Sequence, residues 1–167
     1  ERPMSAAELR AEVDAYDGAI RYLDEALRNL FGALQQRGML ENTIVVLTSD
    51  HGEQFGEHGL INHGNSLYMP LLHVPLVIYA PGRIPAGARV REWISTSDVA
   101  ATLAEITNRD PTSFPGESLS RYWPGGTAPA DVRVLSEVSQ ASRLPKEYPA
   151  SHGDMMSVIS GKFQLIR

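Results

Sequence analysis

The chain has 167 residues, of which 43% are hydrophobic and 21% charged, a composition typical of a globular protein. A net charge of −5 and the lack of a basic run argue against a nucleic-acid partner, which requires clustered cations. Because the chain has no cysteine, disulfides, thiolate metal ligands and cysteine nucleophiles are excluded together. No apolar stretch approaches the roughly 20 residues that a membrane-spanning helix needs, and the N-terminal residues 1–5 show no signal-peptide pattern.

The first predicted element is a long amphipathic helix. Ser5 and Glu8 have the spacing of a capping box, in which each side chain accepts a hydrogen bond from the other residue's backbone. Apolar side chains then recur every three or four positions over residues 13–34, which places them on one face. Gly38 is a natural left-handed stop. The pattern therefore predicts a helix that packs through one side only.

Short apolar runs after this helix predict an α/β core. Residues 43–48 (TIVVLT) form a continuous β-branched run, typical of a central strand covered on both faces. Residues 74–80 (VPLVIYA) predict a second strand, and residues 90–94 a third, shorter one. Residues 97–106 read as a capped amphipathic helix.

The pattern changes near Asn108. Residues 108–131 are rich in Pro, Gly, Ser and Thr and predict a surface connection with little regular structure. Three strands are predicted after it, the last two as a hairpin: residues 132–138, 156–160 and 163–166. We therefore divide the chain into an α/β part, residues 1–107, and a loop-rich part with short strands, residues 108–167.

Polar side chains cluster directly after the first predicted strand. Asp50 and His51 stand where this strand ends, and in open α/β sheets the ligand crevice lies beyond the carboxyl ends of the strands. A carboxylate beside an imidazole offers two ligands to a divalent cation. The alternative is that Asp50 caps the following turn and His51 is an ordinary hydrogen-bonded histidine.

The sequence around this pair resembles the sulfatase family of the alkaline phosphatase superfamily. The resemblance rests on residues 48–59 (TSDHGEQFGEHG), 63–68 (HGNSLY) and 74–82 (VPLVIYAPG), and continues in residues 16–24, 97–103 and 116–119. It implies an α/β fold that is part of an alkaline-phosphatase-like sandwich, with a mostly parallel central sheet and flanking helices. A smaller antiparallel C-terminal portion would follow.

The resemblance also implies roles for three residues. Asp50 and His51 match a pair of metal ligands in that family, which implies a divalent metal: Ca²⁺ first, with Mn²⁺, Mg²⁺ or Zn²⁺ as alternatives. His63 matches a catalytic Lys or His that contacts the sulfate or phosphate and protonates the leaving oxygen. Its chemistry suits that role, since an imidazole can deliver a proton near neutral pH. The alternative for His63 is an exposed loop histidine.

Neighbouring residues are expected to support this loop. Glu53 and Glu57 are expected to cap or orient the following turn. His58 is expected either to fix His51 or the loop through a hydrogen bond or to lie exposed, and Gly52 to let the backbone turn sharply. Structural or surface roles are expected for His73, Asp98 and His152.

The nucleophile that the resemblance implies is not in this sequence. Sulfatases attack with a residue made from Cys or Ser in a Cys/Ser-x-Pro-x-Arg motif, and the chain has no Cys. Residues 113–117 (SFPGE) carry Glu where the motif needs Arg, and residues 127–131 (TAPAD) fail similarly. We therefore expect the C-terminal part of a sulfatase-like hydrolase, with half of the metal site and a leaving-group acid, inactive by itself.

Other functions stay open at this point. The expected substrate is a small-molecule or glycan sulfate or phosphate ester. A phosphoester or phosphonate hydrolase, or a phosphoethanolamine-type transferase, would use the same Asp-His pair. A non-catalytic metal-binding or interaction module, or an α/β domain without a site, are the alternatives from other classes. Neither the oligomeric state nor the compartment follows from the sequence; periplasmic, extracellular and membrane-anchored forms are all compatible with it.

Overall fold

A computed structural model describes residues 4–167; the expectation for residues 1–3 lies outside this part. The helices are α1 (Ala6–Gln36), α2 (Met69–Leu72) and α3 (Asp98–Ile106). The strands are β1 (Val45–Thr48), β2 (Gln54–Phe55), β3 (Ile61–Asn62), β4 (Leu76–Tyr79), β5 (Arg133–Val138), β6 (Met155–Ser160) and β7 (Phe163–Ile166). Among these residues no helix has the length and apolar content needed to cross a bilayer.

The chain forms two compact units. The first comprises the chain up to Gly64 together with Tyr68–Pro81, and so holds α1, α2 and strands β1 to β4. The second comprises Asn65–Leu67 and Gly82–Arg167, with α3 and strands β5 to β7. These units describe how the chain itself packs. The predicted division after residue 107 concerns the larger catalytic fold and stays a prediction.

Helix α1 confirms the helix, the cap and the stop that the sequence predicts. The Ser5 hydroxyl accepts from the Glu8 amide, and the Glu8 carboxylate accepts from the Ser5 amide at 2.7 Å, which completes the capping box. After α1, Gly38 adopts a φ of 64°, the left-handed conformation that ends helices. None of the 31 residues of α1 is buried, so its apolar stripe is largely uncovered in the described chain.

Strands β1 and β4 pair antiparallel, with Val45 opposite Tyr79 and Thr48 opposite Leu76. All strand pairs within residues 4–167 are antiparallel, so the mostly parallel sheet that the resemblance implies is not seen among these strands. The connection between β1 and β4 holds a hairpin and the four-residue α2, and no long helix of the kind that usually joins parallel strands.

The expectation that β1 is covered on both faces is wrong for the described residues. Val45 and Val46 are half-buried, whereas Leu47 and Thr48 are exposed. Strand β1 has β4 as its one neighbour in its sheet, which leaves these side chains without a covering layer. An apolar run therefore identified the strand correctly but not its burial within this chain.

The second unit contains the predicted antiparallel portion, with strand order β5-β6-β7. Strands β6 and β7 form the expected hairpin around residues 161–162. Residues 108–131 contain two short 3-10 turns and otherwise irregular backbone, as expected. The strand predicted over residues 90–94 is wrong, because this segment has no strand partner; Trp93 instead donates its indole N–H to the Gly161 carbonyl at 2.6 Å.

A buried ion pair joins α3 to the loop that follows it. Asp98 accepts hydrogen bonds from the Glu117 amide at 2.9 Å and the Ser95 amide at 3.3 Å. It also accepts from the Arg121 guanidinium at 2.7 Å. Burial of Arg121 opposes its charge, but hydrogen bonding and attraction to Asp98 raise the pKa of Arg121 above its ordinary value. The structural role expected for Asp98 matches these contacts.

Candidate active site

The loop after β1 holds Asp50 and His51 in a tight turn. The Ser49 hydroxyl donates to the His51 carbonyl at 2.7 Å, and the His51 amide donates to Asp50 Oδ1 at 3.0 Å. This amide and the adjacent His51 ring together hold the pKa of the Asp50 carboxyl below its ordinary value. The Asp50 side chain is 86% exposed, so Asp50 is an ionised carboxylate that is open to solvent at neutral pH.

Gly52 is required here by close packing and not by a left-handed turn. Its φ is not positive, so its backbone conformation does not by itself require glycine. Its amide donates to the Leu71 carbonyl at 2.9 Å, and an added Cβ would lie 1.9 Å from the Pro70 carbonyl oxygen. This contact with α2 fixes the backbone directly after His51.

The hydrogen bonding of His51 identifies its free ring nitrogen. Nδ1 lies 2.8 Å from the Gly52 carbonyl oxygen, which can only accept a hydrogen bond. Nδ1 therefore carries the proton, and in the neutral ring Nε2 keeps its lone pair. Nε2 lies 3.7 Å from Asp50 Oδ2. Two atoms with lone pairs that a cation could share, one oxygen and one nitrogen, thus lie close together at the end of β1.

His63 is brought to this pair by a short hairpin. Gln54 pairs with Asn62 and Phe55 with Ile61, and His63 follows directly. The ring of His63 stacks on the ring of His51, with centroids 4.2 Å apart and an interplanar angle of 26°. The structure therefore brings together all three residues that the sequence singled out as candidate site residues.

Glu53 is the functional candidate that sequence reasoning missed. Its Oε2 lies 2.9 Å from His63 Nδ1, and its side chain is only 23% exposed. Glu53 and His63 are the next opposed positions beyond the Gln54–Asn62 pair. A prediction of this hairpin, with glycines at 56 and 59 near its turn, would have placed them face to face.

The other polar residues of the loop have local partners. Glu57 accepts from the Phe55 amide at 2.7 Å and so orients the turn, as expected. The His58 ring stacks on Tyr68, with centroids 3.9 Å apart, while the residue itself is exposed. In the second unit, His152 Nε2 lies 2.8 Å from the Lys146 carbonyl and holds a surface loop together. These contacts are consistent with structural roles.

The donor atoms fit a divalent cation but do not complete a site. Ligands about 2.4 Å from one ion can lie up to roughly 4.8 Å apart, so the 3.7 Å between Asp50 Oδ2 and His51 Nε2 allows both to bind it. Across residues 4–167, no group of three or more His, Asp or Glu side chains is arranged to hold a metal. The described residues therefore offer two candidate ligands at this position.

Comparison with known proteins adds evidence on the family. The family model for sulfatases matches residues 2–108. A choline-sulfatase of Rhizobium meliloti (strain 1021) is 30% identical over 154 residues, which cover 91% of this chain and 28% of that protein. An N-acetylglucosamine-6-O-sulfatase of Bacteroides thetaiotaomicron is 32% identical over 139 residues, covering 82% of this chain and 24% of that protein.

A solved structure supports the same fold. The phosphonate monoester hydrolase of Agrobacterium radiobacter matches with a TM-score of 0.78 at 23% identity, over 98% of this chain and 34% of that chain. The predicted α/β, alkaline-phosphatase-like fold class is thereby confirmed. The chain spans about a quarter of the length of the two curated relatives described above. Because the family model matches more than half of its residues, the chain belongs to the sulfatase family.

Proposed function

We propose that this sulfatase-like hydrolase chain contributes part of the active site of a metal-dependent enzyme that cleaves sulfate esters. One observation carries the proposal: Asp50, His51 and His63 converge at the end of β1, within the segment that matches the family model. Two potential metal ligands and a potential proton donor on adjacent side chains suit the cleavage of an anionic ester.

Asp50 and His51 would hold the divalent cation. A bound divalent cation would supply positive charge that stabilises the negative charge developing on the ester oxygens. We propose Ca²⁺ first, on the resemblance to the family, with Mn²⁺, Mg²⁺ and Zn²⁺ as alternatives. Imidazole suits zinc better than calcium, which prefers oxygen ligands, so the metal must be tested directly.

His63 would act as the leaving-group acid. As an imidazolium it would donate its Nε2 proton to the departing oxygen while Nδ1 stays hydrogen-bonded to Glu53. The His63 side chain is 50% exposed, which leaves it accessible to a substrate. The substrate class would be a small-molecule or glycan sulfate ester, in line with the relative named as an N-acetylglucosamine-6-O-sulfatase.

The chain by itself is expected not to turn over. Its sequence contains neither a cysteine nor a Cys/Ser-x-Pro-x-Arg motif, so it carries no recognisable nucleophile. The test is the release of 4-nitrophenol from its sulfate and phosphate esters by the 167-residue chain, with Ca²⁺ or Mn²⁺ present. Metal-dependent turnover that Asp50→Ala abolishes would contradict the claim that the site is incomplete in this chain. A preference for the phosphate ester would favour the phosphoester alternative.

Calorimetric titration with Ca²⁺, Mn²⁺ and Zn²⁺ separates an enzyme part from a metal-binding module. Two protein ligands should bind a cation weakly, and Asp50→Ala should abolish that binding. Tight binding to the chain alone would favour the module. Binding that does not depend on Asp50 or His51 would contradict the assigned metal ligands.

A further inference from the structure

We propose that Glu53 is a positioning residue for His63: its carboxylate holds Nδ1 of the ring, so that Nε2 is the nitrogen available to the reacting ester. This inference rests on the proposed function, in which His63 is the leaving-group acid. It adds a residue that has no direct contact with the ester and acts through the orientation and tautomer of the imidazole.

The backbone places the two side chains opposite each other. The antiparallel register of β2 and β3 pairs Gln54 with Asn62, and Glu53 and His63 are one step further out. The resulting distance of 2.9 Å between Glu53 Oε2 and His63 Nδ1 is that of a charge-assisted hydrogen bond. Strand pairing therefore brings the two side chains within reach of this contact.

Burial makes this contact directional. The Glu53 side chain is 23% exposed and that of His63 is 50% exposed, so the carboxylate lies deeper than the ring it holds. Glu53 Oε1 is buried without a hydrogen-bond partner within the described residues. If the His63 ring turned away, Oε2 would lose this hydrogen bond and neither carboxylate oxygen would keep one within the described residues, which is unfavourable for a half-buried carboxylate. The bond to His63 is thus the main compensation for burying Glu53.

The ring is also held from one face. Its stacking on His51 at 4.2 Å restricts tilting, while the bond to Glu53 restricts rotation about the side-chain torsions. Two independent contacts therefore define the direction of Nε2. Such support is what keeps a reactive group within the narrow range of geometries that catalysis requires.

The proton balance of the transfer step shows the purpose of this arrangement. The imidazolium releases its Nε2 proton to the leaving oxygen, and the electron pair of the broken N–H bond stays on Nε2. His63 is then the neutral Nδ1–H tautomer, which Glu53 still accepts from as an ionised carboxylate. Without Glu53, a neutral ring could keep its proton on either nitrogen, and its orientation would be less defined.

The test is the tautomer of His63, measured by the ¹⁵N chemical shifts of the imidazole in the 167-residue chain, without metal or substrate. It is recorded at alkaline pH, in the range where the ¹⁵N signals no longer change with pH. His63→Gln assigns the signals. The Nδ1–H form should dominate, and Glu53→Met should shift the tautomer ratio about tenfold toward Nε2–H, on the scale of a hydrogen bond to a charged group.

Two further variants keep the inference falsifiable. Glu53→Gln retains an acceptor oxygen and should restore much of the Nδ1–H form. Glu57→Gln removes a carboxylate from the same hairpin but keeps the oxygen that accepts from Phe55, so the His63 tautomer should not change. The signals of His58, whose ring stacks on Tyr68 in the same unit, report that each variant is folded. If the wild-type chain, Glu53→Gln and Glu53→Met are all folded and show the same His63 tautomer ratio, the inference is overturned.

This measurement is independent of the assays for the proposed function. An unchanged tautomer removes the role of Glu53 and leaves the metal assignment of Asp50 and His51 untouched. A tautomer that follows Glu53 supports the positioning role, even where calorimetry contradicts the metal ligands. The two proposals can therefore fail separately.

Discussion

Each unit of the molecule has a carboxylate paired with a cationic or titratable side chain, and the two pairs are used differently. In the second unit, Asp98 is buried and accepts from two backbone amides and from Arg121. In the first unit, Glu53 holds a single nitrogen of His63 and leaves the other nitrogen of a half-exposed ring available. A carboxylate such as Asp98, with both oxygens hydrogen-bonded, stabilises the fold. In the pair of Glu53 and His63 the ring nitrogen Nε2 is left available for proton transfer.

The largest expected effect is on the buried pair. Arg121→Met would leave the Asp98 carboxylate buried without its cation, and should lower the free energy of unfolding by about 3–5 kcal/mol. Arg109→Met, at an exposed position close to the end of α3, should change it by less than about 0.5 kcal/mol. Urea unfolding of the three chains measures both values. Similar losses in the two variants would show that the pair is not structural.

The next effect concerns the backbone that positions the site. Gly52→Ala places a methyl group against the Pro70 carbonyl, and should lower the free energy of unfolding by roughly 1–3 kcal/mol or more. Gly32→Ala, within α1 and with open space around the added methyl, should raise it by about 0.5–1 kcal/mol. Opposite signs are the expected result in urea unfolding. A neutral Gly52→Ala would mean that α2 can move away without cost.

Asp50 should be important for binding and unimportant for stability. Its side chain is 86% exposed, so Asp50→Asn should change the free energy of unfolding by less than about 0.5 kcal/mol. The same variant should weaken cation binding at least tenfold in calorimetry. Asp14→Asn, an equal change in charge on exposed α1, should alter neither quantity. A large loss of stability in Asp50→Asn would place Asp50 with Asp98 among the structural carboxylates.

The smallest effect is expected at an exposed ion pair in the second unit. The Arg133 guanidinium and the Ser160 hydroxyl both donate hydrogen bonds to Asp131. These bonds, that of Arg133 most strongly, lower the pKa of the Asp131 carboxyl. Because the folded value is depressed, the stabilisation is present above the ordinary pKa of about 3.9 and is lost as pH falls through the folded value. Arg133→Gln should raise the pKa of Asp131 in an NMR titration, and Lys162→Gln should leave it unchanged.

Local signals predicted the parts of the fold that depend on local physics. The capping box at Ser5, the helical spacing after it and the stop at Gly38 lie within a few residues of the bonds they form, and α1 follows them closely. The hairpin of β6 and β7 was likewise predicted from two apolar runs separated by two residues. Asp50, His51 and His63 were singled out because the motif around them is specific, and their roles stay predictions.

Contacts between distant residues were harder to predict. Strands β2 and β3 have two residues each, too few to show a periodicity, and the pairing of Glu53 with His63 went unseen. The segment over residues 90–94 has apolar residues, but no neighbouring strand offers it hydrogen bonds. The glycine at position 52 indicated a backbone constraint. Its cause, the close approach of the Pro70 carbonyl in α2, lies about 20 positions further along the chain and could not be read from the sequence.

Helix α1 has a consequence for the dynamics of this chain. Since none of its residues is buried, its amides are protected mainly by the helical hydrogen bonds themselves, which open and close locally. Strand β6 is the central strand of its sheet, with Ser157 and Ile159 only 2% and 5% exposed. Amide hydrogen exchange should therefore be fast along the longest helix and slowest at the centre of a six-residue strand.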